Sequence, residues 1–135
     1  MVDSNIIIFA ALFPDSAIGK VLIHIAKNHK LVLCKHILDE LSNVFKRKFQ
    51  SREKYLNDFI KNLKYELIDI SIKDLKNYPK LRDKHDIPVL ANAIEAKVDI
   101  FITGDKDFDG VEIEPLEIIK PVKYMQEYMS WKISG

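Results

Sequence analysis

At 135 residues the chain has the length of one compact domain and leaves little room for two. Hydrophobic residues make up 47% and charged residues 30%, which excludes a disordered chain and predicts a buried core. The net charge of +1, from 21 Lys and Arg against 20 Asp and Glu, excludes a polycation that coats nucleic acid indiscriminately, so nucleic-acid contacts must come from local patches.

In chain order, residues 1–3 read as a short apolar strand that runs into the apolar residues 5–12, and Pro14 and Asp15 mark a loop. Ser16 is placed to cap a helix over 17–28, where Val21, Leu22, Ile25 and Ala26 recur at helical spacing. Residues 31–34 form a short buried strand. Helices follow over 36–49 and 52–64, separated by Gln50 and Ser51. Residues 65–70 alternate as a strand, 72–78 form a short helix and 79–85 a charged loop. Pro88 is tolerated only in a first helical turn, so the next helix begins near Asp86 and runs to Ala96. The apolar, β-branched run 98–103 is a strand broken by Gly104-Asp105. A last strand over 116–119 ends at Pro121, before a closing helix over 122–129. Short buried strands alternating with helices predict an α/β fold with a mainly parallel central sheet flanked by helices. Such sheets carry their sites at the carboxyl ends of the strands, near a topological switch point.

No run approaches the ~20 apolar residues of a membrane span, and the stretch 6–13 lacks the basic leader and cleavage site of a signal peptide, so the expected location is cytoplasmic. Cys34 cannot pair within the chain, and with four scattered histidines it does not build a structural zinc site; a buried thiol is expected. His36 and His85 flank two acids in sequence, but no histidine is assigned a role. Tyr124, Met125, Tyr128 and Met129 recur at three- and four-residue spacing, as in a core or a dimer face, with Trp131 beyond them expected on a partner. Lys46, Arg47 and Lys48, with Arg52 and Lys54, make one basic patch, and Lys80, Arg82 and Lys84 another. Each is a candidate RNA contact or a solvated helix end that offsets the dipole.

Four acids sit where the strand-end rule puts a site. Asp3 follows the first strand, Asp105 follows the strand over 98–103, and Asp86 opens the helix between them. Glu40 is the fourth. On a wheel of ~100° per residue it falls at the edge of the apolar arc of Ile37, Leu41, Val44, Phe45 and Leu38, and is expected to be half-buried, whereas Asp39 points to solvent. Asp86 as a helix cap and Asp105 as a turn residue are the plain alternatives. Asp3 stands at the head of an apolar run with no turn or cap to explain it. Asn5 serves either the site or the local backbone bend.

These residues, taken together, resemble the PIN-domain nucleases, and among them the VapC-type toxins of toxin–antitoxin systems. The opening Asp3-Ser4-Asn5 matches a strand ending in Asp, then Ser or Thr, then Asn. Glu40 in Ile37-Leu38-Asp39-Glu40-Leu41 matches the second acid, and Asp86 in Asp86-Ile87-Pro88-Val89-Leu90-Ala91 the third. Thr103-Gly104-Asp105, followed by Lys106-Asp107-Phe108, matches the Thr-x-Asp turn of the fourth. With 20 acids in 135 positions, about 0.15 per position, four carboxylates at four named places coincide by chance roughly once in two thousand. Asp107 and Asp109 both remain open as a fifth carboxylate, with Asp107 preferred.

The resemblance implies a PIN-like three-layer fold over residues 1–135 as a single domain and a metal-dependent endoribonuclease. Asp3, Glu40, Asp86 and Asp105 would be both catalytic and ligands for one or two Mg²⁺ or Mn²⁺ ions. Asn5 and Thr103, with Asp107, would support them. Hard carboxylate oxygens suit these cations. Two like charges ~4 Å apart repel by roughly 1 kcal/mol in water and ~4 kcal/mol at an effective dielectric of 20, so four acids in one cluster call for a counter-cation. The resemblance further implies cleavage to 5′-phosphate and 3′-hydroxyl ends, a small antitoxin as partner and a homodimer, with no membrane association. Competing readings are a catalytically silent PIN-like module that binds RNA or protein, and a metal-dependent phosphatase or receiver-like domain, since these also place carboxylates at strand ends.

Overall fold

The computed structural model describes residues 1–130, so Trp131 lies outside the described residues. Residues 1–3 are extended, but the apolar run after them is a helix, α1 (Ser4–Leu12). Uniformly apolar runs have no periodicity that tells strand from helix. Here the decision comes from Asp3: in extended backbone (φ −78°, ψ 167°), its carboxylate accepts the Ile6 N–H at 3.1 Å and starts the helix. Ile6, Ile7, Ala10 and Ala11 face the core.

Ser16 caps α2 (Ala17–Asn28) as its sequence predicts, accepting the Gly19 N–H at 3.0 Å. Gly19 is required by proximity: any Cβ there would collide with the backbone carbonyls of Pro14 and Phe13, which close the turn between α1 and α2. Strand β1 (Val32–Cys34) leads without a break into α3 (Lys35–Lys48), and a tight turn at Gln50–Arg52 leads into α4 (Glu53–Asn62). Strand β2 (Glu66–Ile68) then returns parallel to β1, with Leu33 opposite Leu67.

The expected helix over 72–78 is reduced to one tight turn, Leu75–Asn77. Pro79 disfavours helical backbone at Tyr78, and none of the three turn residues is buried, so no apolar face holds a longer helix in place. A second turn, Lys84–Asp86, feeds α5 (Ile87–Glu95), which carries Pro88 in its first turn. Asn92, buried in α5, donates to the Pro88 carbonyl and accepts the Ile70 N–H, both at 2.9 Å, tying the exit of β2 to the helix that presents Asp86.

Strand β3 (Ile100–Ile102) pairs in parallel with β4 (Glu117–Ile119) on one side, and Val2 bridges it in parallel on the other. The closing helix is α6 (Pro121–Tyr128), whose Tyr124 and Met125 are buried while Tyr128 is partly exposed, at 38%. Val2, Ile7, Leu33, Leu41, Phe45, Leu90 and Phe101 form the centre of one core, each such side chain contributing about 1.5–3 kcal/mol by leaving water. Cys34 is buried there too. Parallel strands flanked by helices are the architecture expected from the sequence.

Candidate metal centre

The in-register pairing of Val2 with Ile102 sets the next residue of each strand, Asp3 and Thr103, side by side at the carboxyl end of the sheet. The buried Thr103 hydroxyl donates to Asp3 Oδ2, and the Thr103 oxygen itself accepts the Asp105 N–H at 3.1 Å. One threonine therefore fixes two of the expected acids. Asp105 in turn accepts the Asp107 N–H at 2.9 Å, opening the turn Lys106–Phe108. Phe108 anchors that turn by packing edge-on against Phe101, with ring centroids 5.2 Å apart.

Asp3 thus has a capping role that was not legible in the sequence. It holds both a helix start and a site position. Asp86 is the reverse case, because at the head of α5 its side chain makes no capping bond, so the plain cap reading does not account for it.

Glu40 departs from expectation in burial. Ile37, Leu41 and Phe45 are the buried residues of α3, so the buried arc centres about 40° past Ile37 and leaves Glu40 roughly 100° away and exposed. It nevertheless faces the acids, lining one cavity of ≈ 80 Å³ with Asp3, Asn5, Asp86 and Asp105. That volume takes an ion with a water or two, at about 30 Å³ per water, and no nucleotide. Asp83 lines it as well. In sequence Asp83 belongs to the charged loop 79–85, and its spacing of three residues before Asp86, at a helix entrance, is the signal that marks it.

Within this cluster Asp86, Asp105 and Asp107 each offer an oxygen within 4.8 Å of the others. Octahedral Mg²⁺ with bonds of 2.0–2.1 Å separates neighbouring ligand oxygens by roughly 3 Å and opposite ones by roughly 4 Å, so small side-chain shifts would bring this trio onto a single hard cation. Asp3 and Glu40 border the same cavity outside that tight trio. Asp109 instead pairs with Lys120 at 3.5 Å. Electrostatics agree with the geometry. Burial, helped by Asp83, Asp105, Glu40 and Asp107, raises the Asp86 carboxyl to about 7. Burial raises Asp3 as well, with Asp105 and Glu40 adding to it and the Thr103 and Ile6 hydrogen bonds opposing it.

A larger open groove of ≈ 580 Å³ continues from the cavity and shares Asp3, Asn5 and Asp105 with it; Arg82 lines this groove. Lys80 and Lys84 are exposed on the neighbouring loop, and Lys46, Arg47 and Lys48 are exposed in the last turn of α3. Lys48 lies roughly 12 Å along that helix from Glu40.

A family model described as PIN domain matches residues 1–107, a span that includes every acid of the cluster. The chain belongs to the PIN domain family. Among solved structures, a chain from the crystal structure of VapBC2 of Rickettsia felis, bound to a DNA fragment from its promoter, matches with a TM-score of 0.68. The two are 22% identical, and the match covers 89% of this chain and 96% of that one, which speaks to a shared fold. No curated protein matches. Strand β4 and helix α6 of this PIN domain lie beyond the matched family span.

Proposed function

We propose that this PIN domain is an endoribonuclease that hydrolyses RNA phosphodiester bonds with Mg²⁺ or Mn²⁺, and that it is the toxin of a toxin–antitoxin pair acting in the cytoplasm. The observation that carries the first part is the cluster itself: carboxylates from the opening segment, α3, the head of α5 and the turn after β3 meet at one cavity. Burial first, and then repulsion from Asp83, Asp105, Glu40 and Asp107, raises the Asp86 carboxyl, and a bound cation offsets both costs. The toxin reading is supported by the likeness to a chain of VapBC2, a complex solved on promoter DNA.

Asp86, Asp105 and Asp107 would hold the first ion, with Asp3 and Glu40 completing its shell or holding a second. When bound, a divalent cation supplies a nucleophilic water at neutral pH and offsets charge on the phosphate. Thr103 keeps Asp3 and Asp105 in position through its hydroxyl, and Asn5, exposed at the rim, orients the phosphate or water by hydrogen bonding. Arg82 draws the RNA backbone into the groove.

Purified protein should cleave RNA with Mg²⁺ or Mn²⁺, stop with EDTA, and leave 5′-phosphate ends. Cleavage that survives exhaustive chelation sinks the metal mechanism. Hydrolysis of phosphomonoesters without cleavage of RNA favours a phosphatase instead.

A further inference from the structure

The groove beside the acidic cavity carries a second feature that metal chemistry does not use. Phe9, on the outer side of α1, is 45% exposed and lines the groove next to Ile18, with Phe13 behind it at a ring distance of 4.9 Å. Arg82 and Lys106 line the same groove. Among the described residues neither of the two cations is ion-paired, although Asp3, Asp105 and Asp107 share the lining. At ≈ 580 Å³ the groove falls in the range of small-molecule sites, about 300–1,000 Å³, so a nucleotide fits where the acidic cavity excludes one.

An exposed aromatic face flanked by free cations and leading to a cation site matches the alternation of bases and phosphates along a single nucleic-acid strand. An apolar peptide would satisfy Phe9 and Ile18 but would leave Arg82 and Lys106 without partners. We propose that Phe9 is a stacking platform for an RNA base beside the bond to be cut, and that Arg82 and Lys106 hold the adjoining phosphates. This proposal rests on the ribonuclease reading above. Phe9 is then a positioning residue, because it places the strand without touching the reacting atoms.

The test is steady-state cleavage of a fluorescent single-stranded oligoribonucleotide of mixed sequence, with Mn²⁺, by wild type, Phe9→Ala, Phe9→Leu and Phe9→Trp. Base–aromatic stacking of about 1.4 kcal/mol corresponds to a tenfold change, so Ala and Leu should each raise KM about tenfold, with the loss falling on KM rather than kcat. Trp should restore wild-type KM, and a 2-aminopurine in the strand should be quenched by wild type and Trp only. Melting curves check that each variant is folded. If Leu works as well as Phe, the contact is merely apolar and the platform is overturned. An unchanged KM in Phe9→Ala, with wild type active, also overturns it, assigns the apolar face to a protein partner and leaves the ribonuclease reading standing. Wild type that neither cuts nor binds the strand overturns both.

Discussion

Asp86→Asn isolates the electrostatics of the cluster, because the Asp86 side chain makes no capping bond and the change removes charge without removing a fold contact. Its carboxyl is raised to about 7, first by burial and then by Asp83, Asp105, Glu40 and Asp107. A group whose folded pKa exceeds its unfolded one favours the fold when protonated; that contribution is complete below about pH 4 and is lost as pH rises through 7. A rise of about three pH units corresponds to a ceiling of about 4 kcal/mol at 1.36 kcal/mol each. Asp86 is only half-buried, so screening by water reduces this to about 1–2 kcal/mol.

Melting in EDTA should therefore show the Asn variant roughly 4–8 °C above wild type at pH 8, with the gap closing as pH falls towards 4. Adding Mg²⁺ should reverse the order at pH 8. Wild type gains about 2.7 kcal/mol when the ion is at a hundred times its Kd, while a site short of one carboxylate gains less. Equal melting at pH 8 in EDTA, or a gap independent of pH, would refute the placement of Asp86 among like charges. If Mg²⁺ raised both proteins alike, Asp86 would not be a ligand.

Three further perturbations probe other parts of the site. Glu40→Gln should abolish cleavage while leaving stability within about 0.5 kcal/mol, since Glu40 is exposed; a large drop in melting temperature would mean that it has a structural role. Thr103→Val removes the donor to Asp3 and the acceptor of the Asp105 N–H, and should cost about 1–3 kcal/mol in urea unfolding together with activity, whereas Thr103→Ser should keep both. Arg82→Gln should flatten the salt dependence of RNA binding by about 0.7 in logarithmic slope; Lys46→Gln, Arg47→Gln and Lys48→Gln combined should do so only if an RNA strand runs along α3 beyond Glu40.

The elements most legible in the sequence were those that local chemistry specifies. Ser16 and Pro88 marked the starts of α2 and α5, and the β-branched residues before Gly104 marked β3. The run after Asp3 was not legible as a helix because it is apolar on every side. Its identity depends on a cap whose second partner, Thr103, is 100 residues away. The exposure of Glu40 is not legible for a related reason: the wheel locates the apolar arc, but which part of that arc is deepest depends on α1, α4 and α5 packing against α3.

The double use of Asp3 explains why an acidic cluster can persist in a fold that it strains. Asn is about as good a helix cap as Asp, so capping alone does not require a charge at this position. Thr103 supplies the distinction. Asp3 accepts the Ile6 N–H through one oxygen and the Thr103 hydroxyl through the other, whereas Asn would present an NH₂ group to one of these donors. The Thr103 oxygen already accepts the Asp105 N–H, so its proton needs an acceptor on the opposite side, and the second Asp3 oxygen provides it. The hydrogen bonds that complete the start of α1 also favour the ionised form of Asp3 and oppose part of the upward shift that burial, Asp105 and Glu40 impose. Position 3 therefore favours a carboxylate for the fold, and the same two hydrogen bonds limit how far burial raises it. Asp86, whose side chain makes no hydrogen bond among the described residues, has nothing to oppose burial and the repulsion of its neighbours, and its carboxyl is raised further, to about 7.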